Sequence, residues 1–293
     1  MAFIEEENSR YFAEIDALTR FLAVGLDSRR LVMLSGPSSS GKTTTALLLR
    51  DGLRELGVDA HTVSLDNFYR GRMLAPVLED GSYDYEALEA LNLDQLRCCM
   101  RELIQLGETH LPIFDFVSGK PLEERTALRI AHDSVVIFEG IHALNPIFEQ
   151  HLPQENLYKI FVNTITPVYD GEDKLLARRD IRLVRRMLRD ERFRSSPLVN
   201  TLKMWQQVVR GENIYMFPYV DTVDAVIDTT HAYEPCVFAG ELLPLLAEVP
   251  ETNPYIETVR HLTASLSRFE AVDPVIVPRR AMLREFLGGG AYA

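Results

Sequence analysis

Gly36-Pro37-Ser38-Ser39-Ser40-Gly41-Lys42-Thr43 fits the phosphate-loop pattern G-x-x-x-x-G-K-[ST] at every fixed position. The apolar run Leu31 to Leu34 precedes it and reads as a buried strand. Downstream, Leu47, Leu48, Leu49, Leu53 and Leu56 fall mostly at helical spacing. In a strand–loop–helix of this kind, backbone N–H groups of the loop and of the helix start converge on one point. The helix dipole adds a preference for negative charge there. Gly36, Ser38, Ser39, Ser40, Gly41, Lys42, Thr43 and Thr44 are therefore the candidate nucleotide-binding residues, with the Lys42 amine reaching the outer phosphates. The Thr43 hydroxyl is a candidate magnesium ligand.

Working outward, His61 to Leu65 forms a second short strand, with Asp66-Asn67-Phe68-Tyr69 directly at its end. In open α/β sheets ligands sit beyond the carboxyl ends of the strands, so Asp66 is expected beside the phosphates. From the residue chemistry, Asp66 is a base for an acceptor hydroxyl, a magnesium ligand or a strand-end cap. A polar stretch from Arg70 to Tyr83 follows, then Asp84 with a helix start near Tyr85, and a helix carrying Leu93, Leu96, Met100, Leu103 and Ile104. Pro112 to Phe116 is a strand-pair candidate entering a turn at Val117 to Pro121. Val135-Val136-Ile137-Phe138-Glu139-Gly140 reads as a central parallel strand with an acid at its tip, which makes Glu139 a second candidate magnesium ligand. His142, just beyond, reads as a structural hydrogen-bonder. Tyr158 to Val162 and Ala225 to Ile227 complete the strands.

Arginines crowd one segment: Arg178, Arg179, Arg182, Arg185, Arg186, Arg189, Arg192 and Arg194. Such a run is either a solvated face paired with Asp180, Asp190 and Glu191, or a lid that closes on polyphosphate. Trp205, on the next helix, reads as core. At the N-terminus, Phe12, Ile15, Leu18, Phe21 and Leu22 lie near helical spacing and form an amphipathic helix expected to pack on the main domain. Beyond Pro250 comes a modest unit with helices around Tyr255 to Leu266 and Ala281 to Leu287, docking on the main domain or on a second subunit, with order ending at Gly288 to Gly290.

The 293 residues, 46% hydrophobic and 25% charged, are ordinary for a globular protein. A formal net charge of −12 argues against a nucleic-acid surface as the main business of the chain. Cys98, Cys99 and Cys236 form neither a disulfide framework nor a metal spacing. No membrane span or signal peptide is legible, and a cytoplasmic protein is expected. The expected fold is α/β, a P-loop NTPase with a mostly parallel sheet flanked by helices. The expected division is an N-terminal helix over 1–29, a kinase domain over 30–249 and a helical appendage over 250–293. Within the kinase domain, an acceptor-binding insertion spans about 66–125 and an arginine-rich lid about 178–212.

The ordered set of the P-loop, Leu65-Asp66-Asn67-Phe68-Tyr69, Tyr83-Asp84, Phe114-Asp115-Phe116, Val136 to Gly140 and Arg185-Arg186-Met187-Leu188-Arg189-Asp190 resembles the phosphoribulokinase/uridine kinase family over residues 30–247, nearest its bacterial uridine kinase-like members. The resemblance implies an ATP- and magnesium-dependent kinase acting on a small hydroxyl acceptor, a nucleoside first, and allows a homodimer or higher oligomer. By resemblance, Asp66 is the catalytic acid residue taking the proton of the 5′-hydroxyl, with Lys42 and Arg189 on the transferred phosphate and Arg192 or Arg194 as further nucleotide contacts. Asp84 corresponds to the grip on the ribose hydroxyls, with Arg186 opposite, and Tyr69, Tyr83 and Phe114 line the acceptor cavity. The chain departs from the family's uridine–cytidine kinases at two positions, with Phe114 for a tyrosine and Gly119 for a base-reading histidine, and its lid is shorter. A site without those polar groups discriminates bases less. The alternatives are a kinase of another hydroxyl metabolite and an ATP-binding regulator with a degenerate acceptor site.

Overall fold

The computed structural model of the chain describes residues 2–26, 29–79, 81–150 and 152–292. In chain order the strands are β1 (Leu31–Ser35), β2 (Ala60–Ser64), β3 (Glu108–Asp115), β4 (Lys120–Arg129), β5 (Val135–Glu139), β6 (Leu157–Asn163), β7 (Val168–Asp170), β8 (Asp173–Leu176) and β9 (Ala225–Asp228). The helices are α1 (Ala2–Val24), α2 (Lys42–Glu55), α3 (Leu93–Leu106), α4 (Pro146–Glu149), α5 (Arg178–Phe193), α6 (Leu198–Tyr215), α7 (Glu234–Ala247), α8 (Ile256–Leu266) and α9 (Arg284–Leu287).

Five parallel strands form the central sheet in the order β2-β5-β1-β6-β9. Every residue of β1 and β5 is buried, as expected of parallel strands covered on both faces. Register then decides where the chemistry falls. Leu34 pairs with Glu139 across β1 and β5, and Ser64 pairs with Glu139 across β2 and β5. The loop after β1, the carboxylate ending β5 and Asp66 just past β2 therefore stand side by side along one edge of the sheet.

Helix α1 buries Ile4, Asn8, Tyr11, Ile15, Thr19 and Leu22, a stripe at spacings of three and four. This stripe is rotated from the one expected: Phe21 is exposed, and Phe12 and Leu18 only edge the core. Polar residues can face inward because each finds a partner. The Tyr11 hydroxyl meets that of Thr45 at 2.7 Å, and Asn8 donates to the Tyr233 hydroxyl at 3.0 Å. The helix thereby braces the back of α2.

The helix expected near Tyr85 is only a short 3-10 turn over Leu88–Ala90. The chain there folds back on itself, with the Asp84 N–H donating to the Pro76 carbonyl and the Leu78 N–H to that of Ser82. Helix α3 begins at Leu93, capped by Asn92. The strand pair read around Pro112 is a longer hairpin, β3 with β4, closed at Gly119 with φ +68°. β4 is exposed along nearly its whole length, so it carries no alternation for a sequence reading to find. Residues after Gly288 stay tied back, the Ala291 N–H donating to the Arg279 carbonyl. Ala281, Met282, Leu283, Phe286 and Leu287 join the same core cluster as the sheet and α1. The C-terminal segment thus docks on its own chain.

Candidate active site

The cradle is built by glycines where nothing larger fits. A Cβ at Gly36 would lie 2.0 Å from the Val162 carbonyl oxygen, and Gly41 sits at φ +87° at the start of α2. Ser38, Ser39, Lys42 and Thr43 line a cleft of about 590 Å³. Among the described residues the hydroxyls of Ser39 and Ser40 are buried with no hydrogen-bond partner, and Lys42 turns its amine onto the Pro37 carbonyl at 3.2 Å. Orphaned hydroxyls, a lysine amine resting on a loop carbonyl and the backbone N–H groups at the start of α2 form a donor set that fits a polyphosphate.

The arginines of α5 divide into two groups. Arg182 and Arg185 are fully buried structural residues. Arg182 grips Glu212 through two bonds of 2.6 and 2.9 Å and donates to the Ser38 carbonyl at 3.0 Å. Arg185 grips Glu234 and donates to the carbonyls of Thr229 at 2.7 Å and Ser39 at 3.3 Å. Together they hold the loop by its carbonyls. Glu212 adds a contact to the Ser38 N–H at 3.0 Å. Neither earlier reading of this run, a solvated face or a lid, describes these two residues. Arg186, Arg189 and Arg194 do line the cleft. Arg186 donates to the Ser38 hydroxyl at 2.6 Å and to Asp190 at 3.1 Å. Burial, with Arg194 close by, pulls Arg189 down to about 10. Arg192 lies outside the lining, held by Glu241 and the Leu287 carbonyl.

Asp66 and Glu139 both face the cleft. Burial first, then the nearby Asp66 charge, pushes Glu139 up to about 7, against the pull of Lys42. A carboxylate so perturbed next to a second one is short of positive charge. With the Thr43 hydroxyl exposed alongside, the donors fit a magnesium ion that shares its shell with phosphates and water. Among the described residues no group of three or more His, Cys, Asp or Glu forms a metal cage.

The cleft is also lined by Tyr69, Phe114, Phe116, Tyr85 and Glu86. Asn67 accepts from the Phe114 N–H at 3.3 Å, which clips the β3–β4 hairpin over the sheet edge. Tyr69 and Phe114 meet at 5.6 Å between ring centroids. Tyr83 and Asp84 lie outside the lining: Tyr83 stacks on Tyr85, and Asp84 is buried, accepting from the Tyr215 hydroxyl at 3.2 Å. Glu86, overlooked in the sequence, stands in the cleft instead, pushed up to about 7 by burial and eased by Arg186. Its backbone neighbour is Gly211 on α6, where a Cβ would fall 2.2 Å from that of Glu86. Arg72 and Lys203 also line the cleft and were likewise missed. His142 is buried with its ring edge-on to that of Tyr215 at 5.9 Å between centroids, and burial pulls it down to about 4.

A P-loop on a parallel sheet, a cleft-facing acid after the neighbouring strand and arginines from a following helix define a P-loop kinase. The sequence pattern of the phosphoribulokinase/uridine kinase family matches residues 31–234, and the chain belongs to that family. It is 28% identical over 179 residues to a uridine kinase of Mycoplasma genitalium, covering 61% of this chain and 75% of that one. It is 28% identical over 204 residues to a uridine kinase of Saccharomyces cerevisiae, covering 67% of this chain but only 36% of the yeast protein. A solved structure, described as a possible uridine kinase from Bacillus stearothermophilus, superposes with a TM-score of 0.52 at 17% identity, covering 73% of this chain and 97% of that one. Among the described residues no helix is long and apolar enough to cross a membrane.

Proposed function

We propose that the protein transfers the terminal phosphoryl group of ATP to the 5′-hydroxyl of a nucleoside, pyrimidines first. The observation that carries this reading is the shared cleft: Lys42 and Thr43 from the loop, Asp66 from the next strand end and an aromatic wall of Tyr69 and Phe114 face one another across it. Asp66 takes the hydroxyl proton as the oxygen attacks phosphorus, and the bond to the bridging oxygen breaks to release ADP. Lys42, Arg186 and Arg189 neutralise charge on the moving group. A magnesium ion held by Thr43 and Glu139 would contribute further charge on the phosphates. The relatives named above, called uridine kinases, support a nucleoside as acceptor.

A second reading, a negatively charged hydroxyl metabolite, is favoured by Arg72, Arg194 and Lys203 on the lining. Arg72 crosses the face of Gly119, where any Cβ would fall 2.6 Å from its Cδ, so a guanidinium stands where the family's base-reading histidine would be. Incubation with ATP and a panel of nucleosides, sugar phosphates and hydroxy acids, read by product mass, tests both. A nucleoside monophosphate supports the first reading. Turnover confined to anionic acceptors supports the second, and no phosphorylated product from the whole panel removes both.

A further inference from the structure

One contact in the phosphate cradle comes from outside the family-matched region. The Glu285 carboxylate, on α9, accepts from the Thr44 N–H at 3.2 Å and from the Thr44 hydroxyl at 2.8 Å through one oxygen. Thr44 lies in the first turn of α2, where N–H groups have no intrahelical partner and favour an anion. Glu285 also lines the cleft, and its charge is felt at Glu139 and at Arg189.

The segment that delivers it is firmly held. Met282 is buried against Gly41, where a Cβ would lie 2.7 Å from its sulfur, and Phe286 lies beneath Arg185 at 5.2 Å from the guanidinium carbon. Arg284 donates to the carbonyls of Val277 and Pro274. With the backbone anchored on both sides, the Glu285 side chain is the part that can turn. A carboxylate and a phosphate cannot share the same N–H and hydroxyl, because both are acceptors and both are negative.

We propose that Glu285 is a built-in competitor for the nucleotide site: it caps Thr44 in the resting protein and must swing aside for the polyphosphate to seat. The C-terminal segment thereby sets nucleotide affinity. The inference rests on the nucleotide-binding part of the proposed function and is independent of the acceptor.

Calorimetric titration of the full chain with ADP and ATP, for wild type, Glu285→Gln and Glu285→Ala, tests it, with adenosine as a phosphate-free probe. The glutamine variant keeps the shape and an accepting oxygen, so it remains informative if the alanine variant folds poorly. Removing the charge should tighten ADP and ATP binding by roughly tenfold and leave adenosine unchanged. Nucleotide affinity that is unchanged or weaker in Glu285→Gln, with wild type binding normally, overturns the competitor while the kinase reading survives. Failure of all three proteins to bind ADP or ATP overturns both.

Discussion

Arg182 and Glu212 face each other through two hydrogen bonds of 2.6 and 2.9 Å in a site closed to solvent, and both also touch Ser38 of the phosphate loop. Arg182 holds the carbonyl of that residue and Glu212 its N–H. The pair is therefore a clamp on the shape of the loop, and its value shows when one half is removed. Glu212→Ala should cost about 3–5 kcal/mol of stability, because it strands a buried guanidinium. Denaturant unfolding measures this; a loss below about 1 kcal/mol would mean that the loop does not depend on the clamp.

Asp66→Asn should lower the turnover number by about 10²- to 10⁴-fold while leaving nucleotide affinity within about twofold. A single-turnover assay beside a binding titration separates the two. Retained turnover would assign Asp66 to a role other than proton acceptor.

Glu139 has a raised affinity for protons in the folded chain, about 7 against an ordinary 4.5. The folded state then binds more protons than the unfolded one between these values, so this group's contribution to stability falls as pH rises through that window. The buried His142 and His231, both pulled down to about 4, act in the opposite sense below their ordinary 6.5. Comparison with Glu139→Gln isolates the acid. The variant's advantage should grow from about pH 4.5 to about pH 7 and then level, reaching on the order of 3 kcal/mol. Thermal melts across that range, without added magnesium, check it. An advantage independent of pH would place the Glu139 titration elsewhere.

Arg72→Ala distinguishes the two acceptor readings. For a neutral nucleoside, KM should change by less than about threefold. For an anionic acceptor it should rise by about tenfold or more, the loss of one charge-assisted contact. Initial rates against the acceptor identified in the panel decide between them.

Much of the cradle was legible because its chemistry is local. The spacing from Gly36 to Thr43 dictates a turn and a helix start whose backbone donors converge whatever surrounds them. The apolar runs ending at Ser35 and Glu139 carry their burial in their composition, and the carboxylate at the second strand's tip follows from the same run. Asp66 follows β2 directly, so its place at the sheet edge is a matter of chain order.

The division of labour among the arginines was not legible. Helical period puts Arg182, Arg185, Arg186 and Arg189 on neighbouring faces, but it does not say that Glu212 and Glu234, brought in by α6 and α7, bury the first two. The same holds for Glu86, which enters the cleft because the loop after Pro76 folds back, while Asp84 is taken by Tyr215. It holds most clearly for Glu285, which meets Thr44 across a sequence separation of 241 residues. The amino-acid sequence alone determined the sheet, the phosphate loop and its charge preference, because those depend on backbone geometry and short-range periodicity. Only the tertiary structure decided which charged side chains serve the cleft and which hold the frame, because pairing between distant charges depends on which faces the packing brings together.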